Sequence, residues 1–117
     1  MSGYSDGRKL EYRVQADLEA DGYWTIRAPG SKGKADVVAF KPGPEILFVQ
    51  CKISGDMGPD ERAALVELAA RFGAVPIKAR WVKVGRAART VEFRELTGPG
   101  PREWRPWSAD HAMGVAP

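Results

Sequence analysis

A chain of 117 residues has room for one domain with a modest core, and its apolar share of 44% and charged share of 28% are those of a soluble globular protein. One cysteine, Cys51, and one histidine, His111, argue against a disulfide within the chain, a zinc site and a histidine-based triad, so any chemistry must come from carboxylates, lysine, hydroxyls and a hard metal ion. The net charge of +3 permits an anionic partner, and the absence of long apolar runs predicts a cytoplasmic protein without a membrane partner. The small size and single domain suit a prokaryotic or phage-infected cell.

The N-terminal segment predicts a helix from about residue 7 to residue 21, followed by a strand over residues 23–28. Apolar side chains recur at every fourth position of this helix: Leu10, Val14 and Leu18. Gly22 supplies its C-terminal stop. Glu11 falls on the rim of the apolar stripe of the helix, which makes it a candidate site residue; an ordinary solvated glutamate is the alternative.

The loop over residues 29–34 has a composition suited to phosphate contact. It contains two glycines, one serine and two lysines, and Arg27 lies just before it. Glycines let a backbone approach a phosphate closely, and hydroxyl and lysine side chains can bond to one. An ordinary mobile turn is the alternative interpretation, but this loop leads directly to Asp36.

Two apolar runs joined by a Pro/Gly turn predict a β-hairpin over residues 36–52. Polar side chains stand in these runs where a buried strand normally has none: Asp36 in the first run, Gln50 and Lys52 in the second. Because side chains alternate along a strand, Gln50 and Lys52 should project from one face and Cys51 from the other. The simplest hairpin register places Asp36 near Gln50 and Lys52.

A second helix is predicted from Pro59 to Gly73, because proline suits the first turn of a helix and glycine its end. Strands over residues 75–84 and 90–96 follow. A strand–helix–strand connection favours a parallel crossover, which gives an α/β fold with a mixed sheet and the order αβββαββ. On the second helix, Leu68 and Phe72 are candidates for a two-fold dimer interface, with burial in the monomer core as the alternative.

The C-terminal segment differs in composition from the rest of the chain. Frequent prolines and glycines from residue 98 onward predict a tail without regular structure, residues 98–117, beside a folded domain of residues 1–97. Three interpretations of Trp104 and Trp107 stay open: packing on the core or on a partner subunit, disorder, or stacking on bases.

A helix glutamate, a strand aspartate and a polar-x-lysine pair on the next strand together predict a metal-dependent phosphodiesterase site. These residues are Glu11, Asp36, Gln50 and Lys52. Mg²⁺, with Mn²⁺ as a substitute, prefers oxygen ligands and can generate a nucleophilic hydroxide, while a lysine can orient or deprotonate the water. Singly, each residue has an ordinary explanation, such as an ion pair between Asp36 and Lys34, or a Lys52 side chain that reaches to water.

Basic residues near this cleft can follow a phosphate backbone. Five are candidates for DNA contact: Arg8, Lys9, Arg13, Lys32 and Lys34. Because no segment has the pattern of a base-reading helix, we expect recognition of DNA shape, with strong dependence on salt.

From about residue 7 to residue 96 the sequence resembles the archaeal-type Holliday junction resolvases of the PD-(D/E)xK nuclease superfamily. Four stretches carry the resemblance: Gly7-Arg8-Lys9-Leu10-Glu11, the segment from Arg27 to Asp36, Gln50-Cys51-Lys52, and Arg71-Phe72-Gly73 followed by Val75-Pro76. The resemblance implies a restriction-endonuclease-like fold, with a central mixed β-sheet flanked by helices. It also implies a homodimer that cuts four-way junction DNA with Mg²⁺, by paired symmetric nicks.

The resemblance also assigns roles to individual residues. It implies that Glu11 and Asp36 bind Mg²⁺, that the Cys51 carbonyl adds a ligand, and that Lys52 serves the attacking water. Arg27 and Ser31 would contact the phosphate near the cut. These two side chains are therefore counted with the catalytic residues.

Gln50 departs from the family pattern, since relatives usually have glutamate there. An amide oxygen can still bind Mg²⁺, but without a negative charge it should hold the ion more weakly. Two alternatives to a junction resolvase stay open, of which the first rests on Gln50. One is a non-catalytic protein that binds junctions or other DNA through a decayed site, and the other is a related nuclease that acts on other DNA structures.

Overall fold

The computed structural model of the chain describes residues 2–28, 35–43, 45–86 and 88–108, with side chains from residue 7 onward. Within these ranges the chain forms two helices and six strands. In chain order they are α1 (Ser2–Ala20), β1 (Trp24–Arg27), β2 (Val37–Phe40), β3 (Ile46–Lys52), α2 (Pro59–Phe72), β4 (Val75–Val84), β5 (Ala88–Leu96) and β6 (Trp104–Trp107). None of the helices in the described part is long and apolar enough to cross a membrane.

The six strands form one mixed sheet in which each strand lies beside its neighbour in sequence. Four of the pairings are antiparallel, and the pairing of β3 with β4 is parallel. The parallel pair is joined through α2, as the sequence predicts. The order of the first seven elements and the mixed sheet are therefore confirmed.

The sheet separates two apolar layers. The layer under α1 includes Leu10, Val14 and Leu18 from the helix and Val37, Leu47, Val49 and Ile77 from the strands. The layer under α2 includes Met57, Leu65 and Leu96, with Phe48 and Trp104 packed against them. Odd-numbered residues of β3 thus face α1 and even-numbered ones face α2, so Gln50 and Lys52 share a face and Cys51 lies on the other.

Glycines flank helix α2 at both ends. Gly58 precedes it, and the Gly58 N–H donates to Glu61 Oε1 at 2.9 Å. Gly73 ends it in a left-handed conformation, with φ of 65°, which glycine adopts without strain. Arg62, which is buried, connects the start of α2 to the C-terminal segment, because its guanidinium donates to the carbonyls of Met57 and Pro99.

The expectation of no regular structure after residue 98 is wrong for β6. This strand pairs antiparallel with β5, with Trp107 opposite Phe93 and Pro106 opposite Arg94. It lies at the edge of the sheet, where a proline is tolerated because one side of the strand has no partner to bond. Both tryptophans pack on the molecule: the ring of Trp107 lies 5.4 Å from that of Phe93, edge to face, and Trp104 joins the layer under α2.

Smaller differences from prediction concern element ends. Helix α1 begins at Ser2 rather than near residue 7, and β5 begins at Ala88 rather than at residue 90. Helix α2 and β4 have the predicted limits to within one residue.

Candidate active site

Asp36 lies at the start of β2, against the end of β3. Its N–H donates to the Val49 carbonyl at 2.7 Å, and its Oδ2 accepts the Cys51 N–H at 2.8 Å. These two bonds flank Gln50, and the register pairs Val37, the next residue, with Val49, so Asp36 lies beside the Gln50 end of β3. The predicted juxtaposition of Asp36 with Gln50 and its strand is confirmed.

Glu11 reaches the site from α1, where its half-buried position agrees with its place on the rim of the apolar stripe. Its Oε1 accepts a hydrogen bond from the Arg27 guanidinium at 2.9 Å. Arg27 ends β1, and its guanidinium carbon lies 5.0 Å from the centre of the Tyr12 ring. Arg27, predicted to contact phosphate, is thus held beside Glu11 by an ion pair and a ring contact.

The surroundings of Asp36 disfavour its negative charge. Burial raises the pKa of the Asp36 carboxyl above its usual range, and the nearby carboxylates of Glu11 and Glu61 act in the same direction. The Cys51 N–H and the Lys52 ammonium oppose this shift. A cation bound beside Asp36 would relieve the repulsion among these carboxylates.

Cys51 contributes its backbone rather than its thiol. Its side chain packs against the layer under α1. Burial raises the pKa of the thiol far above its usual range, and the charges of Asp36 and Glu11 raise it further. The thiol therefore stays protonated, and the Cys51 carbonyl is the group that can serve as a ligand.

Lys52 is held by the first turn of α2. Its Nζ donates to Glu61 Oε2 at 2.8 Å, while Oε1 of the same carboxylate accepts the Gly58 N–H. The hydrogen bonds from Lys52 and Gly58 lower the pKa of Glu61. Glu61 is not among the site residues predicted from the sequence, although a glutamate three residues after Gly58 has the capping-box spacing.

Gln50 is buried in the sheet beside a lysine that sequence reasoning missed. Gln50 is only 4% exposed, and its Oε1 has no hydrogen-bond partner among the described residues. In the parallel β3–β4 register its partner is Lys78, which is 3% exposed and forms an ion pair with Asp56. A polar side chain among the apolar residues at the start of β4 is the same feature that singled out Asp36 and Gln50, so Lys78 was detectable.

The residues present fit a hard cation. Two carboxylates, from Glu11 and Asp36, combine with oxygen donors that carry no charge, the Gln50 amide and the Cys51 carbonyl. Within the described ranges, no three side chains of histidine, cysteine, aspartate and glutamate stand close enough to hold a metal. The buried Oε1 of Gln50 is an acceptor in need of a partner, which a cation could satisfy.

The predicted DNA-contacting residues divide between two sides of α1. Arg8, an exposed residue, lies one turn before Glu11 on the same side, whereas Lys9 lies one turn before Arg13 on the other. Arg13 is turned toward β5, where it bonds to Asp17 at 2.9 Å and to Thr90 at 3.5 Å. The structure therefore does not bring Arg13 to the cluster around Asp36. Ser31, Lys32 and Lys34 lie outside the described residues.

The two candidate interface residues differ in exposure. Phe72 is 59% exposed, with its ring centre 6.1 Å from that of Phe48, while Leu68 is half-buried. The alternative interpretation, in which both residues are buried in the monomer core, is therefore wrong for Phe72.

Comparison with known proteins gives two findings that agree with each other. The archaeal Holliday junction resolvase family (Hjc) matches residues 2–98. The solved structure of Hjc from Archaeoglobus fulgidus, described as a Holliday junction resolvase from an archaeal hyperthermophile, matches with 30% sequence identity and a TM-score of 0.58, covering 74% of this chain and 70% of that one. A search of curated protein sequences found no match.

The family match covers most of the chain, including Glu11, Asp36, Gln50 and Lys52. The α/β fold, with its mixed sheet and two helices, is that of the A. fulgidus structure and is consistent with a restriction-endonuclease-like fold. By sequence and by structure, the chain belongs to the archaeal Holliday junction resolvase family.

Proposed function

We propose that this protein is a Mg²⁺-dependent endonuclease that cuts four-way DNA junctions by paired symmetric nicks. The observation that carries the proposal is the hydrogen bond of Asp36 to Cys51, between Gln50 and Lys52, with Glu11 and Lys52 close enough to influence the charge of Asp36. A bound Mg²⁺ or Mn²⁺ would polarise the phosphate and acidify an attacking water. Membership of a junction resolvase family supplies the substrate.

The side chains around Asp36 have separable roles in this proposal. Glu11 and Asp36 would hold the metal, with the Gln50 amide and the Cys51 carbonyl as neutral ligands. A metal ion bound to Glu11 would draw negative charge away from the carboxylate, which would weaken its ion pair with Arg27 and make Arg27 available to a phosphate. Arg27 then stabilises the negative charge that develops at phosphorus.

Lys52 would act on the attacking water. In the structure its Nζ is bonded to Glu61 at the start of α2. From that position the ammonium can donate to the water and orient it, or take its proton once neutral. Glu61 thereby serves as the group that holds Lys52 in place.

The remaining DNA contacts follow the phosphate backbone. Arg8 and Lys9 lie exposed on α1, and Ser31, Lys32 and Lys34 belong to the loop that the family resemblance places at the cut. These contacts are electrostatic and carry no base information, so junction affinity should fall steeply with salt.

A homodimer is the assembly that we propose. Helix α2 packs on β3 and β4, and beside it large apolar side chains on the same face of β1 and β2 are exposed: Trp24 (66%), Ile26 (43%) and Phe40 (36%). The strand register makes these residues continuous with Phe48 and, through it, with Phe72. We name this surface, Trp24, Ile26, Phe40 and Phe72, the apolar face; a second copy would cover it around a two-fold axis.

Cleavage of a labelled immobile four-way junction, compared with its component duplexes, tests the proposed activity. We expect Mg²⁺-dependent cutting of the junction and little cutting of the duplexes, with no product from Asp36→Asn. Equal rates on junction and duplexes would instead identify a nuclease that acts on other DNA structures.

Gln50 favours one second candidate, a protein that binds junctions without cutting them. The neutral amide weakens the site at the position where relatives usually carry a charge. In that case the native chain should bind junctions but show no Mg²⁺-dependent cleavage, and Lys52→Ala should cause no further loss.

A further inference from the structure

Lys78 is the least explained charged group near the site. It stands in the middle of β4 at 3% exposure, on the face of the sheet that α2 covers. Its partner in the parallel register is Gln50, so the two side chains leave adjacent strands from neighbouring positions, about 5 Å apart along the hydrogen-bonding direction. A buried lysine on the neighbouring strand therefore stands beside the position at which relatives usually carry a glutamate.

The countercharge of Lys78 lies nearer to solvent. Lys78 pairs with Asp56, in the connection from β3 to α2, and the side chain of Asp56 is 62% exposed while that of Lys78 is 4% exposed. Water screens the carboxylate more effectively than the buried ammonium. With its countercharge screened by water, the Lys78 charge would act on its buried surroundings, which include position 50.

This charge gives a reason for the amide at position 50. A glutamate there would face the Lys78 ammonium in a site of low dielectric, and a buried ion pair between them would hold the carboxylate away from a metal. Glutamine avoids that pairing, and its Oε1 has no partner among the described side chains. Gln50 and Lys78 are thus compatible as a pair.

We propose that Lys78 is a positioning residue that sets the metal affinity of the site, so that a carboxylate at position 50 strengthens metal binding only when Lys78 is absent. The inference rests on the proposed metal-dependent function and concerns its regulation by a charge on a neighbouring strand. Lys78 itself need touch neither the metal nor the DNA.

The test is a double-mutant cycle read by calorimetric titration with Mn²⁺, without DNA. Four proteins are compared: the native chain, Gln50→Glu, Lys78→Met and the double variant. Methionine keeps the unbranched apolar part of the lysine and removes only the charge. We expect Gln50→Glu alone to raise Mn²⁺ affinity by less than about threefold. The gain in affinity of the double variant should exceed the product of the two single gains by roughly tenfold, which is within the range of coupling between adjacent residues.

Asp56→Asn should shift the Mn²⁺ affinity in the direction opposite to Lys78→Met. It leaves the Lys78 charge in place but removes the countercharge, so Mn²⁺ should bind more weakly, whereas Lys78→Met alone should bind it more tightly. A purely structural role of the pair would lower the melting temperature in both variants without opposite shifts in affinity. Because Asp56 is exposed, this variant remains informative even if Lys78→Met fails to fold.

Lys83→Met is the matched control, since Lys83 is an exposed lysine at the end of the same strand. It removes the same charge and should leave Mn²⁺ affinity unchanged within about twofold. Additive effects in the cycle, a full gain from Gln50→Glu alone, or no Mn²⁺ binding by any of the four proteins would each overturn the inference.

Junction cleavage by the native chain, measured in parallel, separates the two proposals. Coupled Mn²⁺ binding without cleavage would retain the role of Lys78 and reject the nuclease. Cleavage with additive Mn²⁺ affinities would retain the nuclease and reject the role of Lys78.

Discussion

Asp36 is the residue at which function and stability most clearly oppose each other. Its carboxylate is needed for metal binding in the proposed site, yet the folded protein disfavours its charge, because burial and the neighbouring Glu11 raise its pKa. The metal-free protein should therefore be less stable than its contacts suggest. Such opposition is common where a site is arranged to receive a ligand.

Asp36→Asn should raise the free energy of unfolding of the metal-free protein at neutral pH. The asparagine Oδ1 can still accept the Cys51 N–H, while the buried charge is removed. Because the pKa of Asp36 is higher in the folded state than in the unfolded state, the native chain loses stability as pH rises between those two values. Urea denaturation in chelator across pH should show the largest difference above the folded-state pKa and the smallest below the unfolded-state pKa. A variant less stable than the native chain by a constant amount at every pH would contradict this.

Lys52→Met should slow junction cleavage by at least about 100-fold while leaving junction binding intact, since the lysine acts on the water and not on DNA affinity. Single-turnover cleavage and a binding titration measure the two effects. Lys83→Met, which removes the same charge from an exposed lysine at the end of β4, is again the control. A cleavage rate within threefold of the native rate would remove Lys52 from the mechanism.

At the scale of elements, the part of the fold that was predicted from sequence is the part whose periodicity is visible locally. The stripe of Leu10, Val14 and Leu18 defines α1, and the apolar runs before and after the turn define β2 and β3. Strand β6 was missed because the prolines of the tail outweigh its four residues locally, and its partner β5 and its contact with Phe93 are not visible in the segment itself.

Trp107→Ala should test whether β6 belongs to the fold. Trp107 packs on Phe93 and lies 6.4 Å from the ring of Tyr23, so its truncation should lower the free energy of unfolding by about 2–3 kcal/mol, somewhat less than for a fully buried tryptophan. Arg105→Ala, on the same strand, removes only an exposed ion pair with Glu95 and should leave the free energy of unfolding almost unchanged. Unchanged stability with lost junction affinity would favour the base-stacking role instead.

For the candidate site, likewise, the sequence predicted the residues but not their contacts with one another. Asp36, Gln50 and Lys52 were found because polar residues interrupt apolar runs. Glu11 was found because it lies on the rim of an apolar helix stripe. The contact of Lys52 with Glu61 and the pairing of Gln50 with Lys78 depend on how α2 and β4 return to β3, and sequence periodicity does not specify those tertiary contacts. Arg13 was predicted to lie near the cleft, but helical geometry turns it toward β5.

At the scale of the whole molecule, the apolar face is the feature that a monomer does not explain. Phe72→Glu should weaken dimerisation by at least about 30-fold, as expected for a central aromatic residue of an interface, and analytical ultracentrifugation would measure it. Val84→Glu, an equal change at a 50% exposed residue away from the apolar face, should leave the assembly unchanged. A dimer that survives Phe72→Glu would place the interface elsewhere.

Pairing of nicks and dimerisation are linked in the proposed function, since each subunit would carry one site. The most direct measurement is cleavage of an immobile four-way junction labelled in turn on each of its four strands, with and without Mg²⁺. The proposal predicts Mg²⁺-dependent nicks on two opposed strands, at positions related by two-fold symmetry and absent with Asp36→Asn. Tight junction binding without any nick, or nicks that persist in Asp36→Asn, would contradict it.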